Sequence, residues 1–264
     1  MSRPQTFTLS LVVPAYNEAA NVLPLVDRLV AQTRAFPAVE ILIVDDGSSD
    51  DTLERLRLAA VRHPALRYVS LSRNFGHQAA LRAGLAAARG DCVICMDADL
   101  QHPPELVPEL VRRWQAGADI VNCIRQDQAS LPLFKRLTSR WFYRGLSWLS
   151  GLELVPGSSD FRLLDRKALD ALLRLSDTEP FLRGAVQWLG FRTTTVPFRV
   201  APRRAGASKY GWRRMFGLAT GAILSYSTRL LHLGIWIGLA TSLVAFVELI
   251  VALIDYTSGQ VVPS

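Results

Sequence analysis

The chain of 264 residues is half apolar and one-fifth charged, a size and balance that fit one large or two small domains with a buried core. Its 17 glycines and 14 prolines follow no period, which excludes collagen-like and low-complexity classes. Net charge is +7, and 27 of the 30 basic residues are arginine, whose planar fork suits phosphate in a nucleotide, a lipid headgroup or nucleic acid; three cysteines in apolar runs, Cys92, Cys95 and Cys123, exclude a secreted disulfide framework.

In chain order, short β-rich runs alternate with helical patterns, the signature of βαβ units and a mostly parallel sheet. The pattern predicts strands at 9–13, 40–44, 67–70, 92–96 and 119–123. It predicts helices starting after Asn17, Ser49, Gly76 and Pro103, where a capping residue, Gly or Pro marks the start. The apolar run at 9–13 is too short for a signal peptide and enters a strand directly, so no targeting segment is expected.

Polar residues gather where these strands end. Val12-Val13-Pro14-Ala15-Tyr16-Asn17-Glu18 opens a helix, and Asp45-Asp46-Gly47-Ser48-Ser49-Asp50 is an acidic turn. There a carboxylate could accept hydrogen bonds from a base or ribose, and Ser49 or Asp50 is also placed to cap the next helix. No G-x-G-x-x-G follows a strand, which excludes a dinucleotide fingerprint. Asp97-Ala98-Asp99 closes the strand at 92–96, and period two sets both carboxylates to one side at the edge where open α/β sheets bind ligands. Two hard oxygen ligands there suit Mg²⁺ or Mn²⁺ bridging a diphosphate.

Beyond Gln126 the composition shifts. Residues 130–150 interleave Lys135, Arg136, Arg140 and Arg144 with Phe134, Trp141, Phe142, Tyr143 and Trp148, as an interfacial amphipathic helix does, and 211–229 repeats the pattern. From Leu230 to Ile254, 19 of 25 residues are apolar, about 37 Å of helix and enough to cross a bilayer. Arg203, Arg204, Lys209, Arg213, Arg214 and Arg229 precede this span and no Lys or Arg follows it, which sets the N-terminal bulk in the cytoplasm. His232 and Glu248 are costly in lipid and are expected to face a partner helix or the interface.

VVPAYNE, ILIVDDGSSDDT, RNFGHQAALRAG and GDCVICMDADLQHPPE, in this order, resemble the family 2 glycosyltransferases of GT-A fold. Asp160-Phe161-Arg162-Leu163 and Arg203-Arg204-Ala205-Gly206-Ala207-Ser208-Lys209-Tyr210 resemble more narrowly the polyprenyl-phosphate branch, the dolichol-phosphate mannose synthase-like and GtrB-type enzymes; the likeness spans 8–255. The resemblance implies a nucleotide-sugar core at 1–126, an acceptor-binding part at 127–229, a transmembrane helix at 230–254 and a tail at 255–264 that stops short of a second membrane helix. By it, Pro14, Tyr16, Glu18, Asp45 and Asp46 hold the nucleoside, while Asp97, Asp99 and Gln101 hold Mg²⁺ or Mn²⁺ and the diphosphate. Arg125 binds the lipid phosphate with Lys135, where relatives often have Arg, and Ser139. Arg204, Ser208 and Lys209 close over the donor, and Asp160 and Arg162 line the sugar pocket. The implied reaction is inverting transfer of a hexose, glucose from UDP-glucose being the first choice, to polyprenyl phosphate; relatives imply tetramers.

A phosphate acceptor is largely ionised near pH 7, its second pKa being about 6, so the demand is charge neutralisation rather than a strong base. Asp160 is therefore expected to position the sugar first and to act as a base second. A processive polysaccharide synthase is disfavoured, because the Q/R-x-x-R-W pattern has Leu110 and Leu137 at its upstream position; intact Asp97, Asp99 and Arg204 weigh against a non-catalytic scaffold. Cys92 and Cys95, three apart on a strand, should face opposite ways as packing rather than a redox pair. His63, His77, His102 and His232 show no zinc spacing, although His77 and His102 sit within the family-like motifs, as residues near the site or as structural ones. No nucleic-acid recognition motif is present, and none is expected to be bound.

Overall fold

A computed structural model describes residues 3–4, 6–126, 158–175, 182–199 and 228–258. One mixed seven-stranded sheet is built from β1 (Thr8–Ala15), β2 (Ala38–Asp45), β3 (Leu66–Ser70), β4 (Cys92–Cys95), β5 (Ile120–Arg125), β6 (Ser158–Asp165) and β7 (Thr193–Phe198), in the order β3-β2-β1-β4-β6-β5-β7. All five strands expected from the sequence are present. β6 and β7 complete the sheet from beyond residue 126, and β6 runs antiparallel between β4 and β5. The other pairings are parallel.

Helices cover both faces, which is why β1, β2 and β4 read as continuous apolar runs rather than alternating ones. On one face α1 (Ala19–Thr33), α2 (Thr52–Arg62) and α4 (Val107–Gln115), the last preceded by a short 3₁₀ turn, pack Leu25, Leu29, Leu56, Leu110 and Trp114 onto Leu9, Leu11, Ile41 and Ile94. On the other, α3 (His77–Ala87), α5 (Arg166–Leu173) and α6 (Leu182–Trp188) bring Leu81, Leu85, Leu169 and Val186 against Val12, Leu42, Val93 and Leu164. Helix α3 lies unusually close to the sheet. A Cβ on Gly84 would stand 2.5 Å from Val12 Cγ1 and 2.8 Å from Val44 Cγ2.

Cys92 belongs to the first core and Cys95 to the second, as the strand period requires. All three thiols are free and buried, and burial pushes Cys95 up to about 12, so none is a ready nucleophile.

The end of the sheet away from the acidic turns is tied by ions. Arg3 bonds the Trp114 and Ala118 carbonyls and pairs with Asp119 at 2.7 Å and with Asp165, its guanidinium lying over the Trp114 ring. Near it, Glu40 accepts from Ser10 Oγ (2.6 Å), the Arg89 N–H (3.0 Å) and Arg67. Burial alone would raise this carboxyl, but those bonds and the Arg67 charge hold it below the ordinary glutamate value. A carboxyl so lowered adds stability that is full above its unfolded pKa and lost as pH falls through the folded one. Glu40→Gln is expected to cost about 1–2 kcal/mol at pH 7. Thermal unfolding curves of variant and wild type should converge as pH falls towards 3.

Helix α7 (Thr228–Thr257) carries the apolar C-terminal run, and its stretch Gly234–Thr257, 24 residues and almost entirely exposed among the described residues, is long and apolar enough to cross a membrane. The two stretches expected to lie in the interface, 130–150 and 211–229, fall outside the described residues except for the first residues of α7. So do Lys135, Ser139, Arg204, Ser208 and Lys209.

Candidate active site

The site is assembled from loops that leave the sheet on one edge, where β1, β2 and β4 deliver their C-terminal ends. After β1, Asn17 takes a positive φ of 53°, which turns its amide into the neighbouring loop. Its N–H donates to Ser48 Oγ at 2.9 Å and its Oδ1 accepts the Ser49 N–H at 2.9 Å. The Glu18 N–H donates to Thr52 Oγ1 at 2.9 Å, and Asp50 Oδ2 accepts the Ala19 N–H at 3.3 Å. The loops holding Tyr16 and Glu18 and holding Asp45 and Asp46 are therefore one body.

That network corrects the expected cap. Neither Ser49 nor Asp50 occupies the N-cap position of α2, which is Asp51 and makes no side-chain cap bond. Asp50 instead accepts the Thr52 N–H at 3.0 Å from one position further out. Two helix starts compete for its two oxygens, and this geometry serves both.

Asp45 and Asp46 are almost fully buried, at 1% and 2% exposure. Asp45 accepts the Ser48 N–H and the Ser70 hydroxyl, each at 3.1 Å. Asp46 spends both oxygens on backbone, taking the N–H groups of Phe75 at 2.8 Å and Gly76 at 2.9 Å just before α3. The two loops touch so closely that a Cβ on Gly47, itself at φ +65°, would lie 2.4 Å from the Arg73 carbonyl carbon. Pro14 is still within β1, paired with Val44.

Strand β4 ends at Cys95, one residue earlier than expected, and Asp97 to Asp99 sit in the turn beyond it. Leu100 at φ 61° sharpens this turn, and Asp99 Oδ1 accepts the Gln101 N–H at 3.1 Å. His102 anchors it from below. Fully buried, it stacks on Phe161 at 5.1 Å, meets Phe198 edge-on at 5.7 Å and accepts the Asp97 N–H on Nδ1 at 3.0 Å. Burial, aided by the Arg125 charge and opposed by the acids around it, lowers its pKa, so it is a neutral imidazole with its proton on Nε2.

The antiparallel strand β6 then delivers Asp160 and Arg162, at 3% and 4% exposure, next to β4. Asp160 Oδ2 accepts from Gln78 Nε2 at 3.3 Å, and Arg162 Nη2 stands 3.6 Å from Oδ1. His77, first residue of α3, sets Nε2 3.4 Å from Asp160 Oδ2 and 3.5 Å from Asp97 Oδ1. The sequence pattern singled out both aspartates and marked His77 as a residue that could lie near the site, but gave no sign that Gln78 joins them. The RNFGHQ run was its only trace. Arg125 ends β5, its Nε buried without a hydrogen bond among the described residues.

The donor set fits a hard divalent cation. Asp97 Oδ1 is buried and takes no hydrogen bond, and Asp99 and Gln101 lie in the same turn. Among the described residues no cluster of three or more His, Cys, Asp or Glu side chains surrounds a metal position. Mg²⁺ and similar ions accept such a sparse set, because they keep waters and complete their shell with substrate phosphate oxygens.

The family described as Glycosyl transferase family 2 matches residues 10–173. The bactoprenol glucosyl transferase of Shigella phage SfV is 37% identical over 240 residues, covering 90% of this chain and 78% of that protein. The prophage bactoprenol glucosyl transferase homolog of Escherichia coli K12 is 36% identical over 241 residues, with 90% and 78% covered. Among solved structures, glucosyl-3-phosphoglycerate synthase of Mycobacterium tuberculosis, in complex with Mn²⁺, UDP and phosphoglyceric acid, superposes with a TM-score of 0.60 at 22% identity, covering 82% of this chain and 76% of that one.

Proposed function

The chain belongs to glycosyl transferase family 2, and on that premise we propose that it transfers a hexose, with inversion, from a nucleotide sugar to polyprenyl phosphate at the cytoplasmic face of the inner membrane. UDP-glucose is the donor that fits best. The likeness to bactoprenol glucosyl transferases over nine-tenths of the chain carries this reading.

In this scheme the fused loops bearing Pro14, Tyr16, Glu18, Asp45 and Asp46 hold the nucleoside, the buried aspartates mainly by keeping the pocket rigid. Asp97, Asp99 and Gln101 would hold Mg²⁺ or Mn²⁺. Such an ion, when bound, offsets the charge that builds on the departing diphosphate. Asp160, held by Gln78, His77 and Arg162, accepts a sugar hydroxyl and orients the anomeric carbon. Arg125, Lys135 and Ser139 receive the acceptor phosphate, whose oxygen is already anionic and attacks without a strong base. Arg204, Ser208 and Lys209 close over the donor, and α7 keeps the whole within reach of lipid.

Membranes containing the protein, supplied with labelled nucleotide sugars and Mg²⁺ or Mn²⁺, should move label from UDP-glucose into the organic phase, and chelation should stop it. Label in water-soluble polymer, or none in any fraction, overturns the proposal.

A further inference from the structure

Two imidazoles flank Asp97, and they are not equivalent. His102 is fully buried, holds the backbone N–H and has a packing role that its aromatic neighbours explain. His77 stands at the mouth of the site instead. Its side chain is 36% exposed, yet Nε2 sits 3.5 Å from Asp97 Oδ1 and 3.4 Å from the 3% exposed Asp160 Oδ2. Its placement is built, because the buried Asp46 grips the N–H groups of Phe75 and Gly76 and so fixes where α3 begins. The next residue, Gln78, donates to the same Asp160 oxygen.

We infer that His77 is a positioning residue that couples the two carboxylates of the site, its Nε2 standing between Asp97 and Asp160 within 3.5 Å of each, so that the diphosphate end and the sugar end of the donor are held in one register. This rests on the reading of Asp97 and Asp160 given above. Two carboxylates converging on one nitrogen repel one another. Without the imidazole between them the two acids would face each other directly, and Asp97 would be free to turn away from Asp99. Outer partners that orient a metal-binding carboxylate characteristically change metal affinity by about 10–100-fold when removed. Position 77 also explains why α3 must start where it does. A shift of one residue would present Gly76 or Gln78 to the gap between the acids.

The test compares full-length wild type, His77→Ala and His77→Gln in membranes, reading kcat, donor KM, the Mn²⁺ concentration for half-maximal rate, and thermal unfolding. His77→Ala is expected to raise the half-maximal Mn²⁺ at least about tenfold and lower kcat, with the unfolding midpoint unchanged. His77→Gln, which keeps an N–H donor of similar reach, should recover most of both. A half-maximal Mn²⁺ unchanged in His77→Ala overturns the inference, as does a loss that tracks a lowered unfolding midpoint and is not recovered by Gln. Binding of UDP titrated with Mn²⁺ separates this from the functional reading. If the wild type transfers no hexose to lipid, that reading falls, while an unchanged Mn²⁺ dependence of UDP binding in His77→Ala still removes the role of His77 and a weakened one still supports it.

Discussion

Asp97→Asn is expected to reduce hexose transfer at least about a hundredfold while leaving the unfolding midpoint within a few degrees of wild type. The asymmetry follows from where the carboxylate stands. Its backbone N–H is held by buried His102 regardless of side chain, and its own side chain is 29% exposed and carries no core packing. What Asn removes is the formal charge on a buried oxygen that no hydrogen bond satisfies. In the proposed scheme that charge would keep a cation in place beside the donor's diphosphate. Donor titrations with and without Mn²⁺ should show the variant's binding no longer responding to the ion. Full transfer activity in Asp97→Asn would remove the turn after β4 from the site.

Asp160→Asn is the second large effect, and its form matters more than its size. A hydrogen bond to a charged group is worth about 1.5–3 kcal/mol, so transfer should slow about tenfold to a hundredfold. The pH–rate profile should keep both its limbs. Gln78, His77 and Arg162 all face this carboxylate, a setting that suits holding a substrate hydroxyl in place. If the variant instead loses an ionisation that the wild type shows near its optimum, Asp160 is the base and the acceptor phosphate needs activation after all.

Legibility in the sequence followed burial. Strands β1, β2 and β4 stood out because both their faces are covered, leaving runs such as Ile41 to Val44 with no polar interruption. The aspartates after β2 and β4 were visible for the same reason, as charges arriving abruptly at an apolar strand's end. Strand β6 was not assigned because Asp160 and Arg162 alternate with Phe161 and Leu163, and nothing local says that the charged side is buried too. Strand β7 has Pro197 in it, which a sheet edge tolerates but which weakens any strand pattern. The meeting of His77 with Asp160 crosses more than eighty residues of chain and depends on β6 lying beside β4, so no spacing rule could have revealed it. The resemblance named the right family, and the pairings inside the site came only from the topology.

The order β4-β6-β5 has a price during synthesis. When the ribosome has released only the first 126 residues, β4 is zipped to β1 on one flank and bare on the other, because its remaining neighbour has not yet been made. Polypeptide stalled or clipped before residue 158 is thus not a smaller working enzyme. It is a sticky half-sheet whose open ladder invites pairing with another such fragment, and quality control in the cell should meet this protein most often at that stage.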